Sequence, residues 1–172
     1  MFKNKVMIVD NFFDNFDVIE NHFKKIPLYE LKDFREKFNS KESWPGYRSG
    51  FIDIEQPFLW NLTIKEFGHK IGDFINNKKF EDVKSFLHLR LDKQNDWIHI
   101  DSVDITMITY LSKTNLKSGT AFYDENDNQI ADAKFVQNRA VLFDGNIAHS
   151  SIQNYGDNIE NGRLTMNTFF RY

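Results

Sequence analysis

One short segment carries the residues best suited to chemistry: Trp97-Ile98-His99-Ile100-Asp101. Side chains alternate along an extended chain, so His99 and Asp101 share one face while Ile98 and Ile100 share the other. An imidazole and a carboxylate then point together into a cavity, with the isoleucines expected to pack behind them. A second imidazole, His149, lies in Phe143-Asp144-Gly145-Asn146-Ile147-Ala148-His149-Ser150, a loop position after a strand and a tight turn. Two histidines and one carboxylate can hold a divalent metal on one side and leave three adjacent coordination positions open. Nitrogen and oxygen donors without thiolate suit Fe(II), and they also accept Zn, Mn or Co. The chain has no cysteine, which excludes thiolate metal sites, disulfides and a cysteine nucleophile. Taken alone, His-x-Asp is a weak signal, and a strand-end histidine beside a carboxylate reads as well. Asp104 is an alternative carboxylate, but its odd offset from His99 turns it to the opposite face.

A second candidate set lies near the end of the chain. Alternation along 163–170 places Arg163, Thr165 and Asn167 on one face, and Leu164, Met166, Thr168 and Phe170 on the other. A polar face inside an aromatic-rich fold calls for a buried polar ligand. Arginine grips a carboxylate with two parallel hydrogen bonds, which lysine cannot do. Tyr110 reads equally as a ligand contact or a core aromatic. His88 and Arg90, two apart on a strand, face either the pocket or solvent. His22 and His69 sit on predicted helices as surface residues. Trp44-Pro45-Gly46-Tyr47-Arg48 reads as a lid or substrate-contact loop, or as a packing loop.

The elements that must position these residues fall into two halves. Val6–Val9 predicts a short strand. A helix capped by Asp14 or Asn15 carries the stripe Phe16, Ile19, Phe23 and stops before Pro27. A second helix starts near Pro57, with Trp60, Ile64, Phe67, Ile71 and then Phe74 or Ile75 on its apolar stripe. Beyond residue 84 the pattern changes to short strands at 83–91, 97–101, 105–111, 120–123, 134–135, 139–143 and 163–172. Turn-rich stretches at 92–96, 113–119, 124–128, 144–146 and 154–162 separate them. The expectation is an α+β chain with a mainly β core, sandwich- or barrel-like, behind N-terminal helices.

With 172 residues the chain is long enough for a sizeable core, and its 18 phenylalanines argue against disorder. Formal net charge is -3, so nothing resembles the global basic footprint of a nucleic-acid-coating protein. The first residues lack a signal-peptide pattern and no stretch has the length of a membrane span, giving a soluble cytoplasmic protein as the expectation. No repeat or linker interrupts residues 1–172, read as one domain with a helical support region at 1–85 and a β core at 86–172.

From residue 86 onward the order of motifs resembles the Fe(II)- and 2-oxoglutarate-dependent oxygenases, nearest to the prolyl-hydroxylase-like branch. His99-Ile100-Asp101 matches the first pair of that family's metal motif. Thr109-Tyr110-Leu111-Ser112 is similar to its Tyr-Leu-Asn strand, and Ser118-Gly119-Thr120 to its Gly-Gly-Thr segment. Arg139-Ala140-Val141-Leu142-Phe143 resembles the strand leading to the distal histidine, His149, and Arg163–Phe170 the final arginine-bearing strand. The 154–162 loop makes the interval from His149 to Arg163 longer than the family's usual hairpin. The resemblance implies a distorted double-stranded β-helix of jelly-roll or cupin-like form, with Fe(II) on His99, Asp101 and His149. It further implies that Arg163, Tyr110 and Thr165 hold 2-oxoglutarate. O2 is the oxidant, ascorbate an accessory reductant, and succinate and CO2 the products. The substrate class would be peptidyl, amino-acid or small-molecule, and hydroxylation the default outcome. Asp101 fills the ligand position that a halogenase vacates for halide. Two other classes remain open at this point: a non-oxidative cupin-like metal protein (isomerase or hydrolase), and a metal-free jelly-roll binding module.

Overall fold

Residues 6–72 and 79–172 are described by a computed structural model. In chain order the elements are β1 (Val6–Val9), α1 (Phe16–Phe23), β2 (Tyr29–Glu30), α2 (Leu31–Phe38), β3 (Tyr47–Arg48), α3 (Ile52–Glu55) and α4 (Pro57–Ile71). They continue with β4 (Asp82–Arg90), β5 (Ile105–Tyr110), β6 (Asn115–Tyr123), β7 (Gln129–Phe135), β8 (Ala140–Asp144), β9 (Ala148–Ser151) and β10 (Arg163–Arg171). A seven-stranded sheet runs β1-β8-β5-β10-β4-β3-β2, and a three-stranded sheet runs β7-β6-β9. Every strand pair is antiparallel.

Alternation along the long central strands sorts the large sheet into two unlike faces. One face presents Leu87, Met107, Leu142, Met166 and Phe170, which form one buried cluster with Phe12, Ile19 and Phe23 and with Leu59, Phe67 and Ile71 of α4. The other face meets the small sheet, where Ile108, Tyr110, Val141 and Phe143 pack with Phe122, Ala133 and Phe135. A third cluster, Phe34 with Trp44 and Phe86, joins α2 to the β3–β4 region.

Several sequence expectations change. The 97–101 segment is not a strand; it meets β9 through a single bridge, His99 to His149. Ile98 and Ile100 are exposed rather than packed, because no second layer covers the outer side of the segment. The stripe of α4 is Leu59, Thr63, Phe67 and Ile71, whereas Ile64 is exposed. Thr63 enters this stripe by turning its hydroxyl back onto the Leu59 carbonyl at 2.8 Å, which hides its polarity. Phe74 and Ile75 lie outside the described residues. Strand β6 begins at Asn115, inside a stretch read as turn. Among the described residues no helix is long and apolar enough to cross a membrane.

Candidate metal centre and its pocket

His99, Asp101 and His149 come together: one ligand atom from each lies within 4.8 Å of the others. Backbone pairing between distant segments achieves this. The His99 and His149 amides donate to each other's carbonyls at 3.1 and 2.9 Å, and the Asp101 amide donates to the Gly145 carbonyl at 2.8 Å. A Cβ at Gly145 would stand 2.2 Å from the Val103 carbonyl oxygen, so only glycine admits this close crossing. His149 is therefore a residue of β9 rather than of a loop.

Both imidazoles are oriented in the same way. Nδ1 of His99 lies 2.9 Å from the Trp97 carbonyl, and Nδ1 of His149 lies 2.9 Å from the Ile147 carbonyl. A carbonyl only accepts, so each Nδ1 carries a proton, and each Nε2 is the ring atom left to meet a metal. Those Nε2 atoms face Asp101, at 3.9 Å for His99 and 3.5 Å for His149. The Thr106 hydroxyl donates to Asp101 Oδ2 at 2.6 Å, which fixes the carboxylate. Backbone carbonyls and a hydroxyl thus aim three ligand atoms at one point, as hydrogen bonds behind metal ligands do. Burial pushes the His149 pKa down, against the pull of Asp101, and favours the neutral ring a metal needs. Asp104 takes no part: its carboxylate accepts from the Tyr172 amide at 3.0 Å.

The adjoining pocket, about 30 Å³, is lined by His99 and His149 together with His88, Arg90, Arg163, Thr165 and Asn167. Register explains the polar row: Arg48 pairs with His88, His88 with Thr165, and Thr165 with Tyr110 across four neighbouring strands. Arg163 is buried, with Nη2 donating to the Gly119 carbonyl at 3.1 Å and Nε unpartnered. Its guanidinium carbon stands 5.3 and 5.7 Å from the Phe135 and Tyr110 ring centres, within cation–π range. Among the described residues no carboxylate pairs with it, and burial lowers its pKa. The Tyr110 hydroxyl lies 2.8 Å from Thr120 Oγ1, and Thr165 donates to Asn167 Oδ1 at 2.8 Å.

Other pocket residues were hidden from sequence reading. Asp96 pairs with Arg90 at 2.5 Å and accepts from the Ser151 amide at 2.9 Å. Burial raises the Asp96 carboxyl, but Arg90 and that amide outweigh it and hold the pKa below the ordinary value. Of the readings offered for Trp44–Arg48, packing is the one the structure matches: Trp44 is buried with Phe34 and Phe86, and Tyr47–Arg48 form β3. Arg48 lies 3.9 Å over the Trp44 ring and ion-pairs with Glu42, and burial pushes its pKa down to about 10.

No protein-family model matches the sequence, and no curated protein does. Solved structures do match. A prolyl-4-hydroxylase from Pseudomonas putida is 15% identical, over 98% of this chain and 93% of that one, with a TM-score of 0.64. An oxidoreductase of the 2OG-Fe(II) oxygenase family from Burkholderia pseudomallei is 10% identical over 96% and 84%, with a TM-score of 0.69. HygX from Streptomyces hygroscopicus, solved with nickel and 2-oxoglutarate bound, is 8% identical over 96% and 82%, also at 0.69. The chain has the fold of the Fe(II)- and 2-oxoglutarate-dependent oxygenases, and prolyl hydroxylases are among the structures it resembles.

Proposed function

We propose that this protein is an Fe(II)- and 2-oxoglutarate-dependent dioxygenase, a single domain built on a distorted double-stranded β-helix. We assign it as a hydroxylase of a peptidyl, amino-acid or small-molecule substrate. The observation that carries the reading is a pairing. Two histidines and Asp101 converge on one point, and in the same pocket a buried Arg163 lacks a carboxylate partner. A zinc hydrolase or a metal-free module needs no such uncompensated guanidinium, whose burial costs stability.

The residues fit both groups. His99 and His149 present their Nε2 atoms, and Asp101 brings a carboxylate, the donor set that holds a divalent ion. Arg163 supplies a fixed fork for the far carboxylate of 2-oxoglutarate, with Thr165 and Tyr110 as neighbouring hydroxyls. When bound, iron, 2-oxoglutarate and O2 supply a two-electron oxidation of a substrate C–H bond, with succinate and CO2 released. The chain's own part is placement. Thr106 holds the Asp101 carboxylate, the Trp97 and Ile147 carbonyls hold the rings, and Phe135, Tyr110 and Phe143 keep water from the site.

The test is succinate release from 2-oxoglutarate by purified protein with Fe(II) in air, followed by proton NMR. Fe(II)-dependent succinate, abolished by a chelator and by Asp101→Ala, is expected. No succinate, combined with no metal-dependent binding of 2-oxoglutarate, would overturn the assignment.

A further inference from the structure

His88 is the pocket's largest unanswered polar group. It lies on β4 between Arg48 and Thr165, lines the cavity with His99 and His149, and is 5% exposed. Among the described residues, neither of its ring nitrogens has a hydrogen-bond partner. Its neighbours do not compensate, since Thr165 is committed to Asn167 and the Tyr110 hydroxyl lies against Thr120. A buried polar group without partners carries its full desolvation cost, so such a group is retained where a ligand will meet it.

Its charge state narrows what that ligand is. Burial, and then the guanidiniums of Arg48, Arg90 and Arg163, hold the His88 pKa well below the ordinary histidine value. The ring is therefore neutral, with one nitrogen donating and the other accepting. Counting charge in the pocket points the same way. Arg48 is paired with Glu42 and Arg90 with Asp96. Among the described residues lining the pocket, the one cation left over, Arg163, is matched by the far carboxylate of the proposed co-substrate. No surplus positive charge remains for a second anion.

We propose that His88 is a specificity-determining residue that holds an uncharged group able both to donate and to accept, such as an amide or a hydroxyl of the substrate. This rests on the oxygenase reading above. The group sits beside the metal centre and so fixes which C–H bond of the substrate is presented.

The experiment uses full-length protein labelled with [15N]histidine and loaded with Zn(II), a diamagnetic stand-in for iron, plus N-oxalylglycine. Acetamide and acetate, equal in shape and different in charge, are the probes. Acetamide is expected to shift the ring nitrogens of His88, and acetate to leave them in place. By saturation transfer to the probe's methyl group, His88→Phe should weaken acetamide binding about tenfold, while His88→Gln, which keeps one donor and one acceptor, stays within about threefold of wild type. Preference for acetate, or a His88 ring that responds to N-oxalylglycine but not to acetamide, or that responds to neither, overturns the proposal. If N-oxalylglycine itself fails to bind the Zn(II) protein, the oxygenase reading fails instead, so the two failures are told apart.

Discussion

The two faces of the seven-stranded sheet are made by the same strands and do opposite things. On β4 and β10, Leu87, Met166 and Phe170 point to the helices, while His88, Arg90, Arg163 and Thr165 point to the pocket. The helix side is mainly apolar, with Ser85 and Thr168 hydrogen-bonded to each other at 2.7 Å, and each fully buried Leu or Phe there contributes roughly 1.5–3 kcal/mol. The pocket side buries two arginines and an unpartnered histidine, which costs stability rather than adding it. The lesson is a division of labour at single-residue resolution: one face holds the sheet together so that the other can stay polar and incompletely satisfied.

Substitutions that cross this division should separate binding from stability. The largest effect is expected at the metal set. Asp101→Ala should weaken Mn(II) binding by more than about 100-fold, since losing a ligand exceeds the loss of an outer-shell contact. The metal-free protein should melt at an unchanged temperature. On the opposite face, Leu87→Ala should cost about 2–5 kcal/mol in chemical denaturation, with Mn(II) affinity retained below the melting transition. Arg163→Met should weaken metal-dependent 2-oxoglutarate binding by roughly 30- to 100-fold, read by calorimetry. The same change should leave the unliganded protein as stable or more so, because an uncompensated buried charge is gone. A loss of stability comparable to that of Leu87→Ala would dissolve the contrast between the faces.

The smallest effect concerns pH. The folded His88 pKa lies well below 6.5, so the unfolded chain binds more protons at this residue once the pH drops beneath that value. Stability from His88 is thus present above about pH 6.5 and falls as the pH is lowered toward the folded pKa. His88→Gln should flatten this part of the stability–pH curve, measured by urea unfolding between about pH 6.5 and 5. An unchanged slope would mean that His88 is not buried as a neutral ring.

How much of this was legible in sequence depended on strand length and on how far apart the partners lie. The first five residues of β10 alternate polar and apolar, so Arg163, Thr165 and Asn167 could be placed on one face, although Thr168 and Phe169 break the pattern beyond them. In Trp97–Asp101 the alternation was also right for His99 and Asp101. It misled on Ile98 and Ile100, because periodicity says which residues share a face and not whether anything covers it. His149 rested most on resemblance: β9 is four small or polar residues that carry no strand signature. Helix α2 went unread because Phe34 is its single buried residue among charged neighbours. Asp96 joins the pocket through a bond from the Ser151 amide of distant β9, for which local composition holds no signal.

The most direct test of the central claim is a crystal structure of the protein with Mn(II) and N-oxalylglycine, prepared without oxygen. The expected result is one anomalous peak bonded to His99 Nε2, His149 Nε2 and Asp101, with the analogue's far carboxylate on the Arg163 guanidinium. A peak elsewhere, no peak, or a bound metal with Arg163 left unpaired would contradict the claim that this pocket is built for a metal and a 2-oxo acid together.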